Sequence, residues 1–327
     1  MEILGSGKDA IVVYPPVDCE IGANIDKNDY VGKIYLKGRD IKYFTDLVDK
    51  INRLPDKYDG ILYYKENYLC NINPQNIDSQ NIDPETKNYY RKNLSKNQLI
   101  LKRVKGDTLS ETIKHIIDDI KNDNNCSFYD VLKASIEAYY YIKDLASLNV
   151  YYNDYSSDNV MYDNNNKKLM LVDLDDISYD TPKRMPKILY FNRLRKTYNE
   201  NYYYDDKYGY GYWNKIYISD IVKQFLLNVF MAYDKTNDAF MFNDFDETTK
   251  DKFIYVKDKI ENIIGKKYNQ IDDTDIELIN NNLINLKDEL CKNVGGKKIQ
   301  KHQKTKKTKK TKKKVYKKKN RSSKKFK

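Results

Sequence analysis

The stretch "YYNDYSSDNVMYD" (151–163), followed closely by "KKLMLVDLDD" (167–176), decides how this chain is read. It sets Asp154 five residues before Asn159, then delivers Asp173 at the end of an apolar run. A polar turn between a helix and a hairpin accounts for that spacing without any function. Phosphoryl transfer accounts for it too. That chemistry needs one carboxylate at the attacking hydroxyl, and an amide and a second carboxylate holding Mg²⁺ on the phosphates. The flanking sequence has to choose between the two.

Upstream, β-branched and aromatic runs read as strands at "IVVY" (11–14), "VGKIYL" (31–36), "GILYY" (60–64) and "QLILKRV" (98–104). Between them, residues 40–54 carry apolar side chains at 41, 44, 47, 48, 51 and 54, the period of an amphipathic helix stopped by Pro55. Residues 71–93 contain QNID twice and read as a polar loop. After Gly106 the pattern turns helical, in "TLSETIKHIIDDI" (108–120), "FYDVLKASIEAYYYIKDLASL" (128–148), 216–233, 251–267 and 276–294. Strands followed by helices predict an α+β chain with two lobes. The expected division is a β-rich N-lobe over 1–104, a helical C-lobe over 105–293 and a Lys-rich tail over 294–327.

The remaining candidates lie in the first lobe. In "LGSGKDAIVVY" (4–14), Gly5, Gly7, Ala10 and Val12 fit a G-x-G-x-x-A-x-V turn between two strands, where backbone amides can approach phosphate oxygens. Alone, such a turn is ordinary. Lys33, in the next strand, can pair α- and β-phosphates, although a lone strand lysine usually faces solvent.

Glycine turn, strand lysine, helix, strands, helices, "YNDYSSDN" (152–159) and "DLD" (173–175) follow one another in the order of the protein-kinase superfamily. Over residues 3 to about 230 the chain resembles the divergent serine/threonine-type protein kinases of large (nucleocytoplasmic) DNA viruses. That resemblance implies a two-lobed kinase-like fold with ATP and Mg²⁺ as cofactors, acting on a protein substrate. It implies that Asp154 accepts the hydroxyl proton and that Asn159 and Asp173 ligate Mg²⁺. It also places Lys33 on the phosphates, and "LKRVKGDTL" (101–109) at the adenine-facing connection between lobes.

The chain departs from the family in several places. Tyr152 and Asn153 replace the loop's histidine and arginine, and Ser156 replaces a lysine used on the γ-phosphate. No A-P-E follows, only "TPKRMPK" (181–187). Asp175 replaces the glycine of D-F-G and adds a carboxylate beside the metal, either a further Mg²⁺ ligand or, the reading preferred, a solvated loop acid. No glutamate lies between Glu20 and Glu66, so the helix carboxylate that should anchor Lys33 is expected to be Asp46. These gaps keep two alternatives open: a pseudokinase or virion scaffold without turnover, and a small-molecule phosphotransferase on the same fold.

Composition bounds the rest. The 327 residues carry a net charge of +11, but unevenly. From Lys297 onward there are 18 basic residues and no acidic one, leaving 41 basic against 48 acidic before it, a net of −7. The tail has too much like charge to fold alone, and nucleic acid, an acidic partner or a membrane surface, and plain solubilisation all stay open for it. No run of 18 apolar residues and no leader pattern occurs, so neither a transmembrane segment nor secretion is expected. Four scattered cysteines (Cys19, Cys70, Cys126, Cys291) without a CxxC pair suggest a reducing, intracellular location, in host cytoplasm or virion if viral; the basic tail leaves the nucleus open. The 32 tyrosines, with abundant Asn, Lys and Ile, fit an AT-rich genome.

Overall fold

The computed structural model describes residues 1–6, 9–20, 26–37, 41–77, 83–152, 158–179, 220–230 and 246–291. Its first elements follow from the β-branched runs. β1 (Glu2–Ser6) and β2 (Ala10–Tyr14) pair antiparallel, with an irregularity between Ile3 and Gly5, and β2 pairs in turn with β3 (Tyr30–Leu36). After α1 (Ile41–Asn52) come β4 (Asn67–Asn71), α2 (Pro84–Asn93) and β5 (Leu94–Lys102). These strands form one antiparallel sheet in the order β1-β2-β3-β5-β4. Ile11, Val13 and Ile34 alternate onto one face and are buried with Val17, Ile72, Ile77 and Leu94. That period of two is the reason the sequence reads as strands here.

Gln98 of β5 locks this face. Its amide accepts the Val17 N–H and donates to the Val17 carbonyl, both at 3.0 Å. The amide reaches Val17 through the space left by Gly32, where an added Cβ would lie 2.1 Å from the Gln98 Oε1. A side chain at position 32 would close that path.

Further on lie β6 (Asp107–Thr108), α3 (Leu109–Lys121), α4 (Cys126–Ser147), β7 (Val150–Tyr152), β8 (Val160–Asp163), β9 (Lys168–Leu171) and β10 (Ile177–Tyr179). β6, β8 and β9 form a three-stranded sheet, and β7 pairs with β10. The remaining helices are α5 (Asp220–Phe230), α6 (Glu247–Ile264), α7 (Asp273–Asn281) and α8 (Leu283–Cys291). By packing, the chain divides into one unit of Met1–Ile113 with Ala134–Phe225 and another of Lys114–Lys133 with Leu226–Lys327. In the second unit, Phe253, Val256 and Ile260 of α6, Ile276 and Ile279 of α7, and Leu286 and Leu290 of α8 are all buried, as their helical spacing predicts.

Four sequence expectations are corrected. Residues 60–64 are not a strand. Gly60 adopts a left-handed φ of 69°, and the Ile61 and Leu62 amides both return to the Tyr58 carbonyl. Leu62 and Tyr63 are nonetheless buried, so their apolar run marks a packed turn. Residues 84–93 are a helix, not a loop. Asp83 caps it by accepting from Glu85 and Thr86, and Pro84 opens it, while the lack of any buried residue hid its period. The stretch 276–294 holds the end of one helix and a second, parted at Asn282. Finally, the cysteines are not isolated. Cys19 is bonded to Cys70 and Cys126 to Cys291, which removes the reason to infer a reducing compartment from them. Among the described residues no helix is long and apolar enough to cross a membrane.

Candidate functional site

Lys33 sits in the middle of β3, and only 7% of it is exposed. Its cross-strand neighbours are Val12 on β2 and Leu99 on β5, which therefore share its face of the sheet. A lysine buried on an apolar strand is costly unless its charge is paired. The pairing comes from the loop after β9. The Lys33 ammonium donates to Asp173 Oδ1 at 2.7 Å and lies 2.9 Å from Asp175 Oδ2.

That loop is a single 3₁₀ turn, Leu174–Asp176, whose N-cap is Asp173. Asp173 Oδ1 accepts the Asp175 N–H at 3.3 Å, so one carboxylate oxygen binds both the turn and the lysine. Asp175 is held differently. Its Oδ2 accepts the Tyr35 hydroxyl at 2.6 Å and the Tyr43 hydroxyl at 3.3 Å. Tyr35 lies two residues beyond Lys33 on the same strand face, and Tyr43 comes from α1. Their rings meet edge to face, 5.4 Å between centroids.

The electrostatics follow from this crowding. Burial disfavours the Lys33 ammonium, but Asp173 and Asp175 outweigh it and hold its pKa above the ordinary lysine value. Burial raises Asp173 while Lys33 lowers it, and the lysine prevails, so Asp173 stays below the usual carboxylate value. Asp175 goes the other way, raised by burial and by the Asp173 charge against the pull of Lys33. Burial and then the Asp175 carboxylate push the Tyr35 phenol well up. Two carboxylates share one ammonium, and Asp173 is the more firmly ionised.

Asn159 is positioned by the β8–β9 hairpin. Val160 pairs with Leu171, and the Val172 N–H donates to the Asn159 carbonyl at 3.0 Å, immediately before Asp173. The Tyr152 hydroxyl donates to the same carbonyl at 3.3 Å. Thus the asparagine and the aspartate, fourteen positions apart, flank one pair of strands.

The structure brings together Lys33, Asp173 and, through the hairpin backbone, Asn159. Val12 lies beside Lys33, and Ala10 is opposite Tyr35. Gly5 is exposed opposite Val12, with open space where a Cβ would be. Asp46 is not part of this arrangement: it is an exposed residue of α1, and the carboxylates on Lys33 are Asp173 and Asp175. The helix turns Phe44 and Leu47 inward, and Asp46 falls between them on the outer side. Gly7, Asn153, Asp154, Ser156, the segment 181–187 and the tail from 294 lie outside the described residues.

Sequence reading missed Tyr35 and Tyr43 and took Asp175 for a solvated acid, whereas it is held by Lys33 and both phenols. The signal for Tyr35 was present, because residues i and i+2 of a strand share a face. For Asp175 and Tyr43 no local pattern says which distant group they meet. The Asp173 carboxylate and the Asn159 amide are hard oxygen ligands, the kind Mg²⁺ takes. Among the described residues no cluster of three or more His, Cys, Asp or Glu could hold a metal, so the fit depends on Asn159 serving beside Asp173.

No family model matches this chain, and no curated protein does either. Solved structures that match include a Stt7 homolog from Micromonas algae soaked with ATP, at 13% identity and a TM-score of 0.36. The match covers 55% of this chain and 50% of that one, so the chain spans about half the length of that structure.

Proposed function

We propose that this chain is a phosphotransferase of two-lobed, protein-kinase-like architecture that moves the γ-phosphate of ATP to a serine or threonine hydroxyl of a protein. The observation that carries the reading is the 2.7 Å pair between Lys33 and Asp173, two candidates 140 residues apart in the sequence. Lys33 binds the phosphates through its ammonium. Asp173 and Asn159 hold Mg²⁺, which when bound supplies charge neutralisation at the β- and γ-phosphates. Asp154 orients the acceptor hydroxyl and takes its proton. Val12, Ala10 and Gly5 form the sheet side of the nucleotide site, and Gly7 keeps the phosphate-approach role that its motif implies. Catalysis in this reading is mostly positioning and charge neutralisation.

A second reading is a nucleotide-binding scaffold without turnover. It is favoured by one specific observation, that the Lys33 ammonium is engaged by two carboxylates and by none from α1. Transfer of labelled γ-phosphate from ATP, with and without Mg²⁺, into protein and small hydroxylated acceptors tests both readings. The phosphotransferase reading expects Mg²⁺-dependent transfer that Asp154→Asn and Asp173→Asn each abolish while the protein stays folded. Transfer surviving both substitutions would refute the assignment. ATP binding without transfer to any acceptor would leave the scaffold.

A further inference from the structure

In the family that the sequence resembles, a carboxylate from the helix after the lysine strand holds the lysine for the phosphates while another acidic group meets the metal. Here the acidic residues of α1 are Asp46 and Asp49, and both are exposed. We propose that Asp175, clamped by the phenols of Tyr35 and Tyr43, is the positioning residue that holds the Lys33 ammonium for the nucleotide. This rests on the phosphotransferase reading above and adds to it a residue that the sequence assigned to solvent.

The geometry separates the two aspartates. On Asp175, a single oxygen, Oδ2, meets three donors: Lys33 at 2.9 Å, Tyr35 at 2.6 Å and Tyr43 at 3.3 Å. Those donors come from a strand and a helix, so the carboxylate is fixed from two directions. Asp173 is bound by Lys33 and by the amide of its own turn, and its side chain is 37% exposed against 23% for Asp175. Asp173 is therefore the one open to a further ligand, and Asp175 the one enclosed by protein.

A lysine has three N–H donors. Asp173 and Asp175 account for two, and the third can point to a phosphate oxygen without releasing Asp175. The helix keeps its part in the device, but indirectly. Tyr43 donates to Asp175, and Asp175 binds Lys33, so α1, the turn after β9 and β3 are tied through one oxygen. Tyr35 also sets the lysine's direction, with the ammonium 5.2 Å from its ring centroid.

The experiment uses the full chain and reads the ATP dissociation constant together with KM and kcat for transfer. Asp175→Asn keeps the shape and can still accept from both phenols, but it loses the charge on Lys33. It is expected to weaken ATP binding about ten- to hundredfold, since charged hydrogen bonds are the strong ones, and to lower kcat as well. Tyr43→Phe removes one hydroxyl and is expected to shift both constants in the same direction by less. In a Lys33→Met background, Asp175→Asn should cost no further ATP affinity, because its effect runs through the lysine.

A purely structural role would instead give a thermal destabilisation that adds to that of Lys33→Met, with KM unmoved; that result overturns the inference. So does Asp46→Ala reproducing the loss, which would return the role to α1. Should Asp175→Asn fail to fold, Tyr43→Phe carries the test alone, and wild-type constants in it would overturn the inference. The two readings fail distinguishably. Wild-type protein that neither binds ATP nor transfers phosphate brings down both. Active wild type, inactive Asp173→Asn and wild-type constants in Asp175→Asn bring down this inference only.

Discussion

Among the described residues, two places hold one lysine between two aspartates. In one unit, Lys33 meets Asp173 and Asp175 at 2.7 and 2.9 Å. In the other, Lys266 meets Asp272 and Asp275 at 3.0 and 2.7 Å. The charges and distances are alike, and the origins are not. The Lys266 group forms within ten residues of chain, where Gly265 ends α6 in a left-handed turn and Asp272 and Asp275 make the capping box of α7. Its lysine side chain is 32% exposed, so water shares the load. The Lys33 group spans 140 residues and encloses a lysine side chain that is 8% exposed. Helix capping explains why both aspartates of the first are there. Stability is a poor explanation for the second, because desolvating a buried ion pair offsets most of what the pair returns. Burial and sequence separation, not the count of charges, single out the group where chemistry should be sought.

The largest expected effect sharpens that contrast directly. Asp173→Asn should abolish phosphate transfer, a loss beyond about 10³-fold, as removal of a charge-stabilising group does, while Asp272→Asn leaves it at the wild-type rate. Equal losses in labelled-phosphate assays would erase the distinction. The next effect concerns the scaffold. Gly32→Ala forces the Gln98 amide off Val17 and should cost about 1–3 kcal/mol in denaturant unfolding, the usual penalty of overpacking. An unchanged midpoint would mean that β3 is less tightly held than the geometry says.

Lys266→Met is expected to cost no more than about 1 kcal/mol, and less in high salt, because Lys266 and Asp272 are partly exposed and the buried Asp275 keeps the Asp272 N–H. A larger cost, insensitive to salt, would make the two groups equivalent after all. The smallest effect is on pH. Hydrogen bonding to Lys266 lowers Asp272, and hydrogen bonding to Asp275 and then Asp272 raises Lys266. A depressed carboxylate gives stability above its unfolded pKa and loses it as pH falls through the folded one; a raised lysine gives stability below its unfolded pKa and loses it as pH rises through the folded one. The melting temperatures of wild type and Lys266→Met should therefore differ most at neutral pH and converge below about pH 4 and above about pH 10. A gap that stays constant across that range would contradict the assignment.

By itself the sequence determined what depends on near neighbours. β-Branched runs made β2, β3 and β5 legible, and the 3.6-residue period made α1, α3 and α4 legible, because an element's own face repeats along the chain. Asp83-Pro84 could have announced α2 as a capped helix, but without a buried stripe its residues resemble a loop. The order of Lys33, Asn159 and Asp173 was legible as well, and so was the hairpin whose two ends carry the last two. Only the tertiary structure decided which carboxylates Lys33 meets, that Tyr35 and Tyr43 clamp Asp175, that Cys19 joins Cys70 and Cys126 joins Cys291, and that residues 60–64 turn. The physical reason is the same in each case. Periodicity records which face of an element is buried, while the partner it meets there is set by elements far away in the chain.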